Sequence, residues 1–270
     1  MFGAAAVLGV ALLLTACAPV GATGPADGVR LPDTSGGFDY QLGGPYTPPA
    51  GVTIVERDRT AEPSGAGYDI CYVNGFQTQP DESEAFAAAH PELVVQTGSG
   101  PLVDEGWPDE YLFDTSTADK RSALAALVGE WIDGCATDGF AAVEIDNLDS
   151  YTRSGGALTA DDNLALAATY AERAHAAGLA IAQKNTADQA SALRALGYDF
   201  AVTESCIEFE ECGAYAAEYS VVLDIEYTDE LGEDGFADAC GDPDRPAVMI
   251  LRDHSLVTPG DAEYIYRSCK

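Results

Sequence analysis

Asp146 and Glu204 are the two side chains whose type and position best suit them to chemistry. Each closes a short apolar run, 140–145 for the aspartate and 199–203 for the glutamate, and a third run, 179–183, lies between them and ends in Lys184-Asn185. Cleaving a glycosidic bond needs two carboxyl groups in unequal surroundings: one ionised, to attack the anomeric carbon or activate water, and one protonated, to supply the leaving oxygen. A lysine on the strand between them would sit near Asp146 and favour its charged form. Polar residues close other runs too. Asn147, Asp149 and Tyr151 follow Asp146, Glu226-Tyr227 follow 221–225, and Arg252-Asp253 follow 247–251. A single acid after an apolar run is usually a loop cap or a salt-bridge partner. Charged or amide residues after five runs in succession describe a ring.

The elements that would carry this ring are legible in outline. Eight short runs read as strands buried on both faces: 38–42, 52–56, 68–73, 140–145, 179–183, 199–203, 221–225 and 247–251. Between the later ones lie helical patterns. Leu124, Leu127, Val128 and Trp131 recur at helical spacing on one face. Thr159 and Asp162 frame a capping-box start, and Gly178 suits a left-handed stop. Residues 188–196 and 208–219 are two further helices, and 74–114 reads as an enlarged loop holding Trp107. Strand alternating with helix implies a parallel sheet covered by helices. Eight strands favour closure into a (β/α)8 TIM barrel, in which strand ends converge on one mouth. No glycine-rich phosphate fingerprint follows an early strand, which disfavours a nucleotide-binding open sheet.

The chain divides into an address, a tether and one α/β domain. Residues 1–16 read as a lipoprotein signal peptide ending Leu14-Thr15-Ala16-Cys17, with Cys17 as the lipidation site; an ordinary signal peptide is the competing reading. Residues 17–36 are rich in Gly, Pro and Ala and read as a flexible linker, leaving 37–270 as the barrel domain. The expected location is the outer face of a bacterial cell membrane. Six further cysteines in an oxidising compartment allow up to three disulfides, with Cys206 and Cys212 the nearest local pair and the other pairings open. Three scattered histidines and no CxxC argue against a metal site. With 45 acidic against 13 basic residues, a formal charge of −32, the surface repels phosphates, so no nucleic-acid partner is expected and a polycation would be attracted.

Several of these stretches together resemble a known family. Residues 138–147 (Asp-Gly-Phe-Ala-Ala-Val-Glu-Ile-Asp-Asn), 158–162 (Leu-Thr-Ala-Asp-Asp), Gly178-Leu179, Lys184-Asn185, Glu204-Ser205-Cys206, Glu211-Cys212 and Ile225-Glu226-Tyr227 keep the order seen in glycoside hydrolase family 114, the endo-α-1,4-polygalactosaminidases. Tyr40-Gln41-Leu42 and Ile70-Cys71-Tyr72 resemble that family's early strands. The resemblance implies a TIM-barrel hydrolase with Asp146 as nucleophile and Glu204 as acid/base. By likeness to retaining α-galactosidase barrels it also implies retention. The expected substrate is a galactosamine-rich, cationic polysaccharide. Tyr40, Trp107, Asn147, Asp149, Tyr151, Lys184, Asn185, Glu226, Tyr227 and Asp253 are its candidate contacts, and Glu144 is a candidate support behind them. Two carboxylates need no cofactor. The alternatives are a non-catalytic carbohydrate-binding lipoprotein on the same barrel and, less well matched to the histidines, a metal-dependent deacetylase.

Overall fold

The computed structural model describes Met1 and residues 28–269; Cys17, nearly all of the signal segment and the first part of the tether lie outside the described residues. Eight parallel strands form the frame: β1 Gly37–Tyr40, β2 Val52–Asp58, β3 Tyr68–Asn74, β4 Ala142–Asp146, β5 Ala180–Lys184, β6 Phe200–Glu204, β7 Val222–Tyr227 and β8 Val248–Arg252. They pair in chain order, and a short β9, Tyr266–Ser268, runs antiparallel beside β8. The sheet curls until β8 meets β1. Among the described residues no ladder joins those two strands. Instead Arg252, fully buried, donates to the Tyr40 carbonyl, and the Tyr266 hydroxyl donates to the Phe38 carbonyl at 2.9 Å. The result is the expected (β/α)8 barrel, with its last seam sealed by side chains and β9.

β1 stops at Tyr40, short of the expected 42, whereas the other strands run one or two residues further than their apolar runs. Lys184, Glu204 and Arg252 are strand residues rather than the first loop residues. The reason is that ladder pairing is a backbone property and does not stop where the side chains turn polar.

Helices occupy the connections from β3 onward: α1 Ser83–Ala89, α2 Ala118–Asp138, α3 Ala160–Ala176, α4 Ala190–Ala195, α5 Cys212–Glu218 and α6 Gly232–Ala239. The β1–β2 and β2–β3 crossovers carry no helix. The enlarged loop after β3 contains α1 and a two-stranded hairpin pairing Gln96 with Pro101. On α2 the buried stripe is Leu124, Val128, Ile132 and Cys135, rotated from the expected face: Leu127 and Trp131 are only partly covered. α3 begins with the expected capping box, in which the Thr159 hydroxyl accepts from the Asp162 amide and the Asp162 carboxylate accepts from the Thr159 amide. Gly178, with φ at +81°, then turns the chain into β5. The helix expected over 208–219 starts only at Cys212, because Glu210 sits in the left-handed region.

Strand alternation divides the core in two. Outward-facing Cys71, Val73, Val143, Ile145, Ile181 and Ala201 pack on α2, α3 and their neighbours. Inward-facing Ile54, Ile70, Ala142, Ala182, Val202, Ile225 and Ile250 fill the barrel. Each large aliphatic side chain buried this way contributes about 1.5–3 kcal/mol. Disulfides join Cys71 to Cys135, Cys206 to Cys212 and Cys240 to Cys269. The first ties β3 to α2, and the second closes the loop after β6.

Candidate active site

The parity that places Ala142 inside the barrel also turns Glu144 and Asp146 inward, because side chains two apart share a face. Ala182 likewise sets Lys184, Val202 sets Glu204, and Ile225 sets Tyr227. At the C-terminal mouth these side chains meet. Lys184 Nζ lies 3.7 Å from Asp146 Oδ2, 3.3 Å from Glu204 Oε2 and 3.2 Å from Glu144 Oε1, and it donates to the Tyr40 hydroxyl at 2.8 Å. The two carboxylates therefore face one ammonium, their nearest oxygens no more than about 7 Å apart. Above them opens a cavity of about 590 Å³, within the usual range for small-ligand sites.

Each member is held by named partners. Tyr72 donates to Asp146 Oδ2 at 2.7 Å, and the Asn147 amide donates to Asp146 Oδ1 at 2.7 Å. The Asn185 side chain grips Glu204 twice, donating to Oε2 at 3.1 Å and accepting from its backbone amide at 2.8 Å, while Tyr227 donates to Oε1. Burial works against the charge on Lys184, yet the carboxylates of Asp146, Glu144 and Glu204 hold its pKa well above the ordinary lysine value. Burial also works against charge on Glu204, but the Lys184 ammonium and the hydrogen bonds from Tyr227 and Asn185 outweigh it and keep the carboxyl below its usual range. Tyr72 and Tyr227 are pushed well above the usual phenol value, by burial first and by the carboxylate each one touches second, so both remain donors.

The backbone at the mouth is bent to make this possible. Asn147, Asn185, Thr186 and Ser205 all have positive φ, 62°, 47°, 66° and 57°, and they follow directly on β4, β5 and β6. Asn tolerates this region, whereas a β-branched Thr does not adopt it freely. Such conformations persist only where surrounding contacts over-determine them, and they cluster at functional sites.

Most of the expected contacts reach the cavity. Tyr40, Trp107, Asn147, Asp149, Lys184, Asn185 and Tyr227 line it with Asp146 and Glu204. Three do not. Glu226 has the outward parity of Asp224: it is fully buried behind the sheet and accepts from the Ile207 amide at 2.8 Å. Asp253 is buried and caps backbone amides of Val257 and Ile265 at 2.8 and 3.2 Å. Tyr151 packs outside the cavity beside Val95, Leu112 and Leu158. Strand alternation turns Glu226 away from the mouth, while Asp253 and Tyr151 lie beyond the strands and are held by backbone capping and by local packing. Cys206 and Cys212 are bonded to each other, and Cys17 is outside the described residues.

Other cavity residues had weaker signals. Tyr72 lies on β3 with the inward parity of Ile70, so alternation applied to that strand would have found it. Glu110 had none, since it sits in irregular chain. Its Oε2 accepts from Asn74 and Gln77, each at 2.9 Å, and burial pushes its carboxyl up to about 7 despite both hydrogen bonds. Beside it Arg153 links Asp104 at 2.6 Å, Asp149 at 2.9 Å, Gln77 at 3.0 Å and Asn147 at 2.9 Å, fixing this part of the cavity wall. Trp107 and Phe209 are exposed on the rims.

The model of glycoside-hydrolase family GH114 matches residues 20–270. The chain belongs to family GH114. Its GH114 barrel superposes on Ega3 of Aspergillus fumigatus, solved in complex with galactosamine, with a TM-score of 0.67 at 20% identity over 88% of this chain and 97% of that one. It also superposes on the glycoside hydrolase domain of PelA from Pseudomonas aeruginosa, with a TM-score of 0.55 at 13% identity over 84% of this chain and 97% of that one. At those identities the likeness is one of fold. No curated protein sequence matches the chain. Membership of GH114 makes the chain a glycoside hydrolase, in accord with the two carboxylates at the mouth.

Proposed function

We propose that this GH114 protein cleaves α-1,4-linked galactosamine-containing polysaccharide with Asp146 as nucleophile and Glu204 as acid/base. The observation that carries the reading is the shared position of these carboxylates, on either side of Lys184 under an open cavity. In the first step an Asp146 oxygen bonds to the anomeric carbon, the glycosidic bond breaks, and Glu204 passes its proton to the leaving oxygen. In the second, water gives a proton to Glu204 and attacks the same carbon, which releases Asp146 with retention. Asn147 holds the Asp146 carboxylate through its backbone amide, and Lys184 spreads positive charge beneath both acids.

The depressed pKa of Glu204 bears on the pH at which such an enzyme works. An acid must carry a proton before it can give one, and that fraction grows as pH falls. Cleavage assigned this way is therefore favoured in acidic medium. A neutral optimum would transfer the acid role away from Glu204.

The substrate reading rests on charge. Asp58, Asp104, Glu110, Asp149 and Glu230 line the cavity along with the two working acids, and Arg153 and Lys184 are both tied to acids. Such a wall favours ammonium groups over carboxylates or sulfates. Galactosamine in the Ega3 complex is consistent with that class. The exposed Trp107 gives a sugar a face to stack on. Export and a lipid on Cys17 belong to the same proposal, and three disulfides accord with an oxidising compartment. Fatty-acid labelling that survives Cys17→Ser would refute the anchor.

The decisive experiment incubates the protein with partially deacetylated and with fully acetylated galactosaminogalactan and reads products by mass spectrometry. Fragments are expected from the deacetylated polymer. Binding without fragments from either polymer would make this a carbohydrate-binding protein instead.

A further inference from the structure

One layer below the mouth, Glu56 on β2 and Glu144 on β4 point into the barrel, and neither has any solvent exposure. Strands two apart contribute to the same interior layer of such barrels. The two carboxyl groups lie within hydrogen-bonding reach of each other, yet none of their four oxygens accepts a hydrogen bond of ordinary geometry, and Glu144 Oε1 has only the ion-pair contact of Lys184. Ionised carboxylates are acceptors only, so two of them in contact can satisfy neither. The mechanism above uses neither residue. The groups facing them are Tyr40 on β1, Tyr72 on β3, Asp146 on β4, Lys184 on β5 and Glu204 on β6. Lys184 alone among these carries positive charge, and it sits 3.2 Å from Glu144.

We propose that Glu56 and Glu144 share one proton and, as a singly charged pair, position Lys184 and set how much of its charge reaches Asp146 and Glu204. The shared proton supplies the missing donor between the two carboxyls and removes the like-charge contact. Burial, and then the neighbouring Glu144 charge, holds Glu56 well above the ordinary glutamate value; Glu144 is also raised by burial, against the pull of Lys184. Lys184 thus faces one negative charge below and two above. Without the lower charge the ammonium would be drawn wholly to the mouth and would clamp Asp146 and Glu204 more tightly. Glu56 and Glu144 touch no substrate and act only through Lys184, which makes them positioning residues.

The inference rests on Asp146 and Glu204 being the working acids, and its test has one arm that needs no activity. Infrared spectra of the full chain at neutral pH are expected to show a protonated-carboxyl carbonyl band that Glu56→Gln removes. The second arm is the pH profile of kcat/KM on the deacetylated polymer. Glu56→Gln keeps the pair's charge at minus one and leaves the acid limb in place. The double substitution Glu56→Gln with Glu144→Gln abolishes that charge and moves the limb down by about one pH unit, tenfold in rate on the acid side. No band difference between wild type and Glu56→Gln overturns the shared proton, and an unmoved limb in the double variant overturns the coupling to Lys184. Should the double variant fail to fold, the difference spectrum between wild type and Glu56→Gln, in which the protons on Glu110 and Glu226 cancel, is titrated instead, and a difference band already lost below neutral pH sinks the pair. A protein that shows the band and cleaves no polymer retains the pair and loses the substrate reading.

Discussion

Asp146 with Glu204, on β4 and β6, and Asp224 with Glu226, both on β7, are two pairs of acids on one sheet, and they serve opposite ends. The first pair faces inward and shares Lys184. The second faces outward, behind β7, where its partners are the Thr203 hydroxyl at 2.7 Å and backbone amides of Cys206 and Ile207 at 3.4 and 2.8 Å. Glu204 is held below its usual range by that lysine. Burial pushes Asp224 up to about 6 and Glu226 up to about 8, the latter also through the Asp224 charge. Asp146 and Glu204 keep some exposure where Asp224 and Glu226 have none, and only the first pair has a cation beside it. A cation within reach favours the charged carboxyl, whereas hydroxyl and amide donors without one leave burial to favour the protonated form under the 205–211 loop.

The largest expected effect tests the division directly. Asp146→Asn or Glu204→Gln should lower polymer cleavage on the order of 10²–10⁴-fold while a pull-down still shows binding. Glu226→Gln, which preserves the oxygen that accepts from Ile207, should stay within about twofold of wild type. A comparable loss in Glu226→Gln would erase the distinction between the pairs.

Lys184→Met comes next. It leaves Asp146, Glu204 and Glu144 without their common cation, and removing one partner of a buried pair costs about 3–5 kcal/mol, readable in urea unfolding. A midpoint unchanged from wild type would mean that the lysine does not hold the mouth together.

The outward pair makes a prediction about pH. Glu226 has a folded pKa near 8 against an ordinary 4.5, so between those values the folded protein holds a proton that the unfolded chain releases. Stability is accordingly greatest below about pH 4.5 as far as this group is concerned, falls as pH rises toward 8, and levels off above it. The contribution is on the order of a few kcal/mol, because each tenfold difference in proton affinity between the folded and unfolded chain is worth about 1.4 kcal/mol. Thermal unfolding across this range should slope downward in wild type and less so in Glu226→Gln. Parallel slopes would show that the pair does not carry the proton.

The smallest effect lies on the rim. Trp107→Ala should raise KM by about two- to tenfold with kcat little changed, the scale of one aromatic contact. A fall in kcat instead would place Trp107 nearer the reacting atoms than its exposure indicates.

Much of this was legible in advance, for physical reasons that also explain the misses. Parallel strands buried on both faces must be apolar, so eight of them stand out, and polar residues at their ends mark the mouth. Parity along a strand fixes facing, and it would have separated Glu204 from Glu226 had the strand ends been placed one residue later. Asp253 and Tyr151 sit beyond the strands, where alternation lapses and backbone capping or local packing decides. Glu110 comes from irregular chain, where no periodicity points anywhere.

By itself the sequence determined the order of strands, the inward set Ala142-Glu144-Asp146 and the presence of a lysine between two acids, because each follows from local pattern and strand geometry. Tertiary structure decided the rest. Only closure of the sheet brings Glu56 on β2 against Glu144 on β4, draws Lys184 within 3.7 Å of both mouth carboxylates, and leaves Glu226 with no cation among its hydrogen-bond partners. Charge state depends on which groups share a desolvated space, and that is a property of the folded barrel rather than of neighbours along the chain.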